Sequence, residues 1–102
     1  MVKITKWLEE DKPTEGKVQT ILESEGLSTK SWSEEAGTMK DPETAGGDLT
    51  LCVLEGMARI TLPDSAEDYF DLMAGDRLDI PAGVNHGLMV GPAGVKFTEG
   101  RK

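Results

Sequence analysis

GDRLDIPAGVNH, Gly75 to His86, ends in the only histidine of the chain. Leu78 and Ile80 alternate with polar residues as in a short, half-buried strand. Pro81 then fixes φ, and Gly83 permits a sharp bend just before His86. This arrangement delivers one imidazole to a defined place at the start of the next strand. A lone histidine so placed is either the polar centre of a site or a packed, hydrogen-bonded residue. What surrounds it in space decides between the two.

Working outward, NHGLMVGPAGVKFTEG reads as two strands joined by Gly91-Pro92-Ala93-Gly94. On the N-terminal side, YFDLMAGDRLDIPAG is two short strands joined near Ala74-Gly75-Asp76, and DSAED is a polar turn. LTLCVLEGMARITLP reads as two apolar strands joined around Glu55-Gly56. AGTMKDPETAGGD is loop-rich, with Gly37, Pro42, Gly46 and Gly47. LSTKSWSEE reads as a strand with Leu27, Lys30 and Trp32 as its bulky positions. TEGKVQTILESEGL places Val18, Ile21 and Leu22 on one helical face, and Pro13, Thr14 and Gly26 suit its ends. A helix is predicted over about residues 14–25. VKITKWL alternates like a strand, and EEDKP breaks it. Short strands with glycine turns about every 8–12 residues predict an all-β sandwich or barrel. Closure into a barrel also removes the exposed edges of so small a sheet.

The 102 residues suit one domain. Within it, residues 1–26 form an N-terminal strand and helix, and residues 27–100 form the barrel. A net charge of -8, from 19 acidic and 11 basic residues, argues against nucleic acid as a partner, because phosphate binding needs a concentrated basic surface. It argues equally against anionic membrane surfaces. No apolar run is long enough to span a bilayer, and MVKITKWLEEDKP lacks the apolar core of a signal peptide. Cys52 stands alone, so neither an intramolecular disulfide nor a thiol-rich zinc site is available. A cytoplasmic protein is expected.

The spacing within residues 75–86 resembles the second motif of the cupin superfamily: Gly75, five residues, Pro81-Ala82-Gly83, two residues, His86. The asparagine usual four residues later is Val90. The first cupin motif aligns with its glycines on Gly37 and Gly56. Its two histidine positions then fall on Glu43 and Ala45, and its glutamate position on Leu49. The resemblance covers about residues 27–100. It implies a small double-stranded β-helix, or jelly-roll, barrel with a central pocket. In metal-binding members that pocket holds Fe, Mn, Ni, Cu or Zn on three histidines and a carboxylate. Here only His86 stands at a ligand position, with Glu43 as a carboxylate in a histidine slot. A divalent transition metal would therefore rest on His86 and Glu43 plus a third ligand the sequence does not identify. Small cupins often dimerise by pairing N-terminal strands with a neighbour's sheet, so the resemblance also implies a homodimer through VKITKWL.

Alternation along the strands predicts a pocket wall of Leu49, Leu51, Val53, Ile60, Leu88 and Val90, with His86 and Glu43 as its polar members. Such a cavity suits a small, partly apolar ligand. His86 admits three readings: a surviving metal ligand, a general acid/base or ligand anchor in a metal-free pocket, or a structural histidine. The functional expectation is binding of a small molecule without a full metal site. The alternative is a metal-dependent isomerase or dioxygenase using His86 and Glu43. Whether the chain is an enzyme stays open. Cys52 falls on the face opposite Leu51 and Val53 and reads as a packed thiol. Met39, Met57, Met73 and Met89 are scattered in sequence and read as gap fillers rather than a copper set. Trp7 and Trp32 read as core or interface packing. Arg59, Arg77 and Asp79 are placed on outer faces.

Overall fold

A computed structural model describes residues 2–7 and 11–102. Two long strands organise it: β4 (Leu49–Thr61) and β7 (Asn85–Arg101). They pair antiparallel from Leu49↔Arg101 to Thr61↔Gly87. Each had been expected as two strands joined by a turn. Gly56 does adopt positive φ (81°), as does Gly94 (77°), but the chain bends there without reversing. A Cβ on Gly56 would run into the carbonyl of Gly94, so the glycines mark where two backbones cross closely. The ladder slips between Val53 and Glu55 and again between Gly56 and Ala58, where residues 91–94 stand opposite Met57 alone. Glycine and proline signal a bulge as readily as a hairpin turn.

The bend divides the sheet into two halves that share both long strands. On one side, β1 (Lys3–Thr5) pairs with β6 (Arg77–Ile80), and β6 pairs with the first part of β4. Beyond β4 lie the second part of β7 and β2 (Ser28–Glu34). On the other side, β5 (Tyr69–Met73) pairs with the second part of β4. The first part of β7 then pairs with β3 (Met39–Thr44). The strand β3 lies in the segment expected to be loop. Pro42 cannot donate to a ladder, and the β3–β7 register shifts between Lys40 and Glu43 around it. Edge position makes that tolerable. The strand expected over VKITKWL is confined to Lys3–Thr5, and Leu8 lies outside the described residues. Its pairing partner here is β6 of its own chain.

The core fills the space between the half-sheets. Leu49, Leu51, Val53, Leu78, Ile80 and Phe97 come from one, and Ala58, Ile60, Leu72, Leu88 and Val90 from the other. The outer face of β4 is covered as well. Helix α1 (Glu15–Ser24) lays Val18 and Leu22 against Cys52 and Leu54, so Leu49–Leu54 is buried without interruption. Ile21, expected on the packed face, is 39% exposed, because only Val18 and Leu22 face the sheet. Thr14 caps the helix start by accepting from the Lys17 amide. The end is a Schellman motif: Gly26 (φ 84°) donates to Glu23 O, and Leu27 donates to Leu22 O. No helix among the described residues is long and apolar enough to cross a membrane.

Candidate functional site

The turn at Pro81-Ala82-Gly83 is tied to the segment before β4. Asp48 Oδ1 accepts from the Ala82 amide at 3.0 Å, and Ala45 O accepts from the Gly83 amide at 3.1 Å. Gly83 takes positive φ (83°), and β7 then begins with His86 half-buried at its second residue. The imidazole Nδ1 lies 3.1 Å from Val84 O. A carbonyl only accepts, so Nδ1 carries the proton. In the neutral ring Nε2 is then a free acceptor.

Glu43 is the cross-strand partner of His86 in the β3–β7 ladder, which sets the two side chains next to each other on one face. Both line a cavity of about 260 Å³ between the half-sheets, with an apolar floor of Leu49, Leu51, Ile60 and Leu88. This is room for one small organic molecule. Val53 and Val90, expected on the same wall, belong instead to the core that packs around Phe97 and do not border the cavity. They lie nearer the bend at Gly56 and Gly94, where the half-sheets close on each other.

Sequence reasoning missed much of the opposite wall. Trp32, Glu99 and Arg101 border the cavity, together with Lys30, Glu34, Lys40 and Asp41. Glu99 is only 8% exposed. Both its oxygens are engaged: Trp32 Nε1 donates to Oε1 at 2.7 Å, and Arg101 Nε donates to Oε2 at 2.6 Å. The Trp32 ring packs on Phe97 with centroids 4.6 Å apart. Lys40 Nζ sits 5.1 Å from the Trp32 centroid and 2.9 Å from Glu34 Oε1. Trp32 is thus packed and also presents itself to the cavity.

Metal chemistry needs three or four suitable donors at one point. At the ligand positions that the resemblance marks, only His86 and Glu43 carry a donor. Ala45 and Leu49 carry no donor, and Asp48 is turned to the Ala82 amide. Among the described residues no three His, Cys, Asp or Glu side chains gather as a metal site. The donor set therefore does not fit the four-ligand centre of metal-binding cupins. Cys52 is remote from the cavity, in the cluster under α1. Burial pushes its thiol up to about 12, so it is no nucleophile at neutral pH.

No protein-family model matches the chain, and no curated protein sequence matches it. Solved structures do. A cupin superfamily protein from Desulfitobacterium hafniense is 22% identical, with a TM-score of 0.63 over 99% of this chain and 76% of that one. A DUF861 family protein from Thermotoga maritima is 22% identical, with a TM-score of 0.64 over the whole of both chains. An 11S globulin from Wrightia tinctoria, whose structure reveals an auxin binding site, is 21% identical, with a TM-score of 0.63 over 74% of this chain and 20% of that one. The shared architecture is the double-stranded β-helix of the cupin superfamily.

Proposed function

We propose that this cupin-fold barrel binds a small, partly apolar molecule bearing a hydrogen-bond donor, anchored by His86 and Glu43 without a metal. One observation carries the reading. Four apolar side chains and the cross-strand pair Glu43–His86 surround the same 260 Å³ cavity. The chemistry at that corner is one-sided. With Nδ1 turned to Val84 O, the neutral form of the imidazole offers Nε2 as an acceptor, and a carboxylate group likewise accepts. An amine carries enough N–H donors to satisfy both and a hydroxyl can satisfy one, while a ligand ending only in an acceptor offers neither a partner. The same pair can take up a proton from a bound hydroxyl or amine and return it. The role is therefore binding, sensing or metal-independent proton transfer. The metal-dependent alternative, an isomerase or dioxygenase centred on His86 and Glu43, has no third donor gathered beside that pair among the described residues. We place the protein in the cytoplasm, where a free buried thiol such as Cys52 is at home.

The test uses matched indole compounds ending in an amine, a hydroxyl or a carboxylate, auxin being the last. Protein-observed NMR should show the amine and the alcohol shifting His86, Leu51 and Leu88 resonances. His86→Ala should weaken both at least tenfold. Failure of the whole set to bind, or binding that survives His86→Ala unchanged, would falsify the assignment. Metal analysis of protein purified without chelator adds a second arm. One equivalent of transition metal that disappears in His86→Ala would overturn the metal-free part.

A further inference from the structure

The four methionines scattered in sequence come together in space. Met39 pairs with Met89 across β3 and β7, Met89 with Arg59 across β7 and β4, and Met57 with Met73 across β4 and β5. Their strands turn Ile60, Leu72 and Leu88 inward, so by period two these positions face out. Met39 is 70% exposed, Met73 53%, Met57 46% and Met89 38%, and Tyr69 on the same face is 46% exposed. Of the large hydrophobic side chains exposed among the described residues, only Ile21 lies elsewhere. They are not core fillers. Methionine is unbranched and deformable, and it is enriched where proteins meet.

We propose that this outer face of β3, β7, β4 and β5 is the interface through which two copies of the chain form a homodimer. Charge selects the occupant. The chain carries a net charge of -8, so two copies repel one another over most of their surface. On this face Arg59 and Asp71 neutralise each other, at 2.7 Å from Nε to Oδ1 and 3.1 Å from Nη2 to Oδ2. The guanidinium also lies 3.9 Å from the centroid of the Tyr69 ring. A strongly basic partner would be drawn to the acidic surfaces elsewhere. A copy related by a two-fold axis presents the same patch to itself, and a patch holding one cation and one anion is self-complementary in charge. Area points the same way. The four methionines and Tyr69 expose on the order of 500 Å², more than half of the roughly 800 Å² that each side of a standard interface buries. The polar residues around them supply the rest. The cavity opens between the half-sheets and not onto this outer face, so the inference stands independently of the ligand reading.

Sedimentation velocity and light scattering on the full chain, from about 1 to 200 µM, test it. The wild type should be a dimer, and Met57→Lys/Met73→Lys should be monomeric with an unchanged circular dichroism spectrum. Met89→Glu, on the neighbouring strand, provides a second disruption should the double variant misfold. A wild type that stays monomeric across the range overturns the proposal. So does a dimer that persists in the folded methionine variants. A dimer abolished by Thr5→Pro but indifferent to the methionine changes assigns association to the N-terminal strand, and overturns it too.

Discussion

A carboxylate as buried as Glu99 is tolerated only because each of its oxygens has a donor. Trp32 and Arg101 supply them, and such charge-assisted bonds are stronger than neutral ones. The arrangement makes Trp32 answerable for two things, a ring against Phe97 and an N–H for Glu99. Trp32→Phe keeps an aromatic ring and removes the donor. It should lower stability by about 1–3 kcal/mol, the cost of an unsatisfied buried acceptor, read as a lower urea midpoint at constant slope. Trp32→Phe/Glu99→Met should recover most of that loss, because replacing a buried polar pair by apolar groups is often neutral and Arg101, about half-exposed, returns to water. A double variant no more stable than Trp32→Phe would show that indole packing, not the bond to Glu99, sets the cost. That His86 and Glu43 border the cavity was legible in the sequence through their spacing from Gly83 and Gly37. Glu99 and Arg101 were not, for a reason of parity. Along β7 the inward positions are His86, Leu88 and Val90 before the bulge at 91–94, and Phe97, Glu99 and Arg101 after it. The bulge moves the inward set from even to odd numbers, and alternation read through it points the wrong way.

Helix α1 was legible almost to the residue, since Thr14 and Gly26 announce its ends. What fastens its C-terminus to the barrel was not, because the partner lies far along the chain. Arg77 on β6 donates to both oxygens of Glu25, at 2.7 and 2.6 Å, and also pairs with Asp79. The last turn of α1 has no basic residue of its own, so Arg77 supplies the positive charge that a helix C-terminus favours. Its hydrogen bonds hold the Glu25 carboxyl below its usual range, despite some opposing desolvation. Glu25 therefore contributes stability that is fully present above the ordinary carboxylate value near 4.5 and is lost as pH falls through the lower, folded value. The side chain is 40% exposed, and solvent screening limits the contribution to about 0.5–1 kcal/mol. Arg77→Met should cost that much at pH 7 and little once Glu25 is protonated, so the urea midpoints of wild type and variant should converge on acidification below pH 4. Parallel curves across that range would show that Arg77 acts through its packing rather than its charge. The long strands failed at the sequence level for a different reason. Gly56, Gly91 and Gly94 carry the composition of turns, and only the crossing of β4 over β7 shows that the chain passes straight on.

At the scale of the molecule, the fold is one that the chain shares with cupin proteins. The resemblance anchored on Gly37 and Gly56 would set three ligand positions of a metal-binding cupin at Glu43, Ala45 and Leu49. Of these, Glu43 stands across from His86, Ala45 packs partly buried against the core, and Leu49 borders the cavity at 3% exposure. Two positions thus face the space that His86 faces, with Ala45 two residues along β3's path from Glu43. If that register is right, Glu43→His/Ala45→His/Leu49→Glu should bind one equivalent of zinc or nickel, and His86→Ala added to it should abolish the binding. The metal-free triple variant should be less stable than the wild type by several kcal/mol, because Leu49→Glu places a carboxylate where no partner awaits it. Saturating metal should restore much of the loss, since a ligand that binds only the folded state stabilises it by mass action. Equilibrium dialysis and thermal melts with and without metal read both effects. A folded triple variant that takes up no metal would show that the glycines of the first motif are aligned by composition and not by structure. Uptake would show that the barrel brings these three positions and His86 to one point.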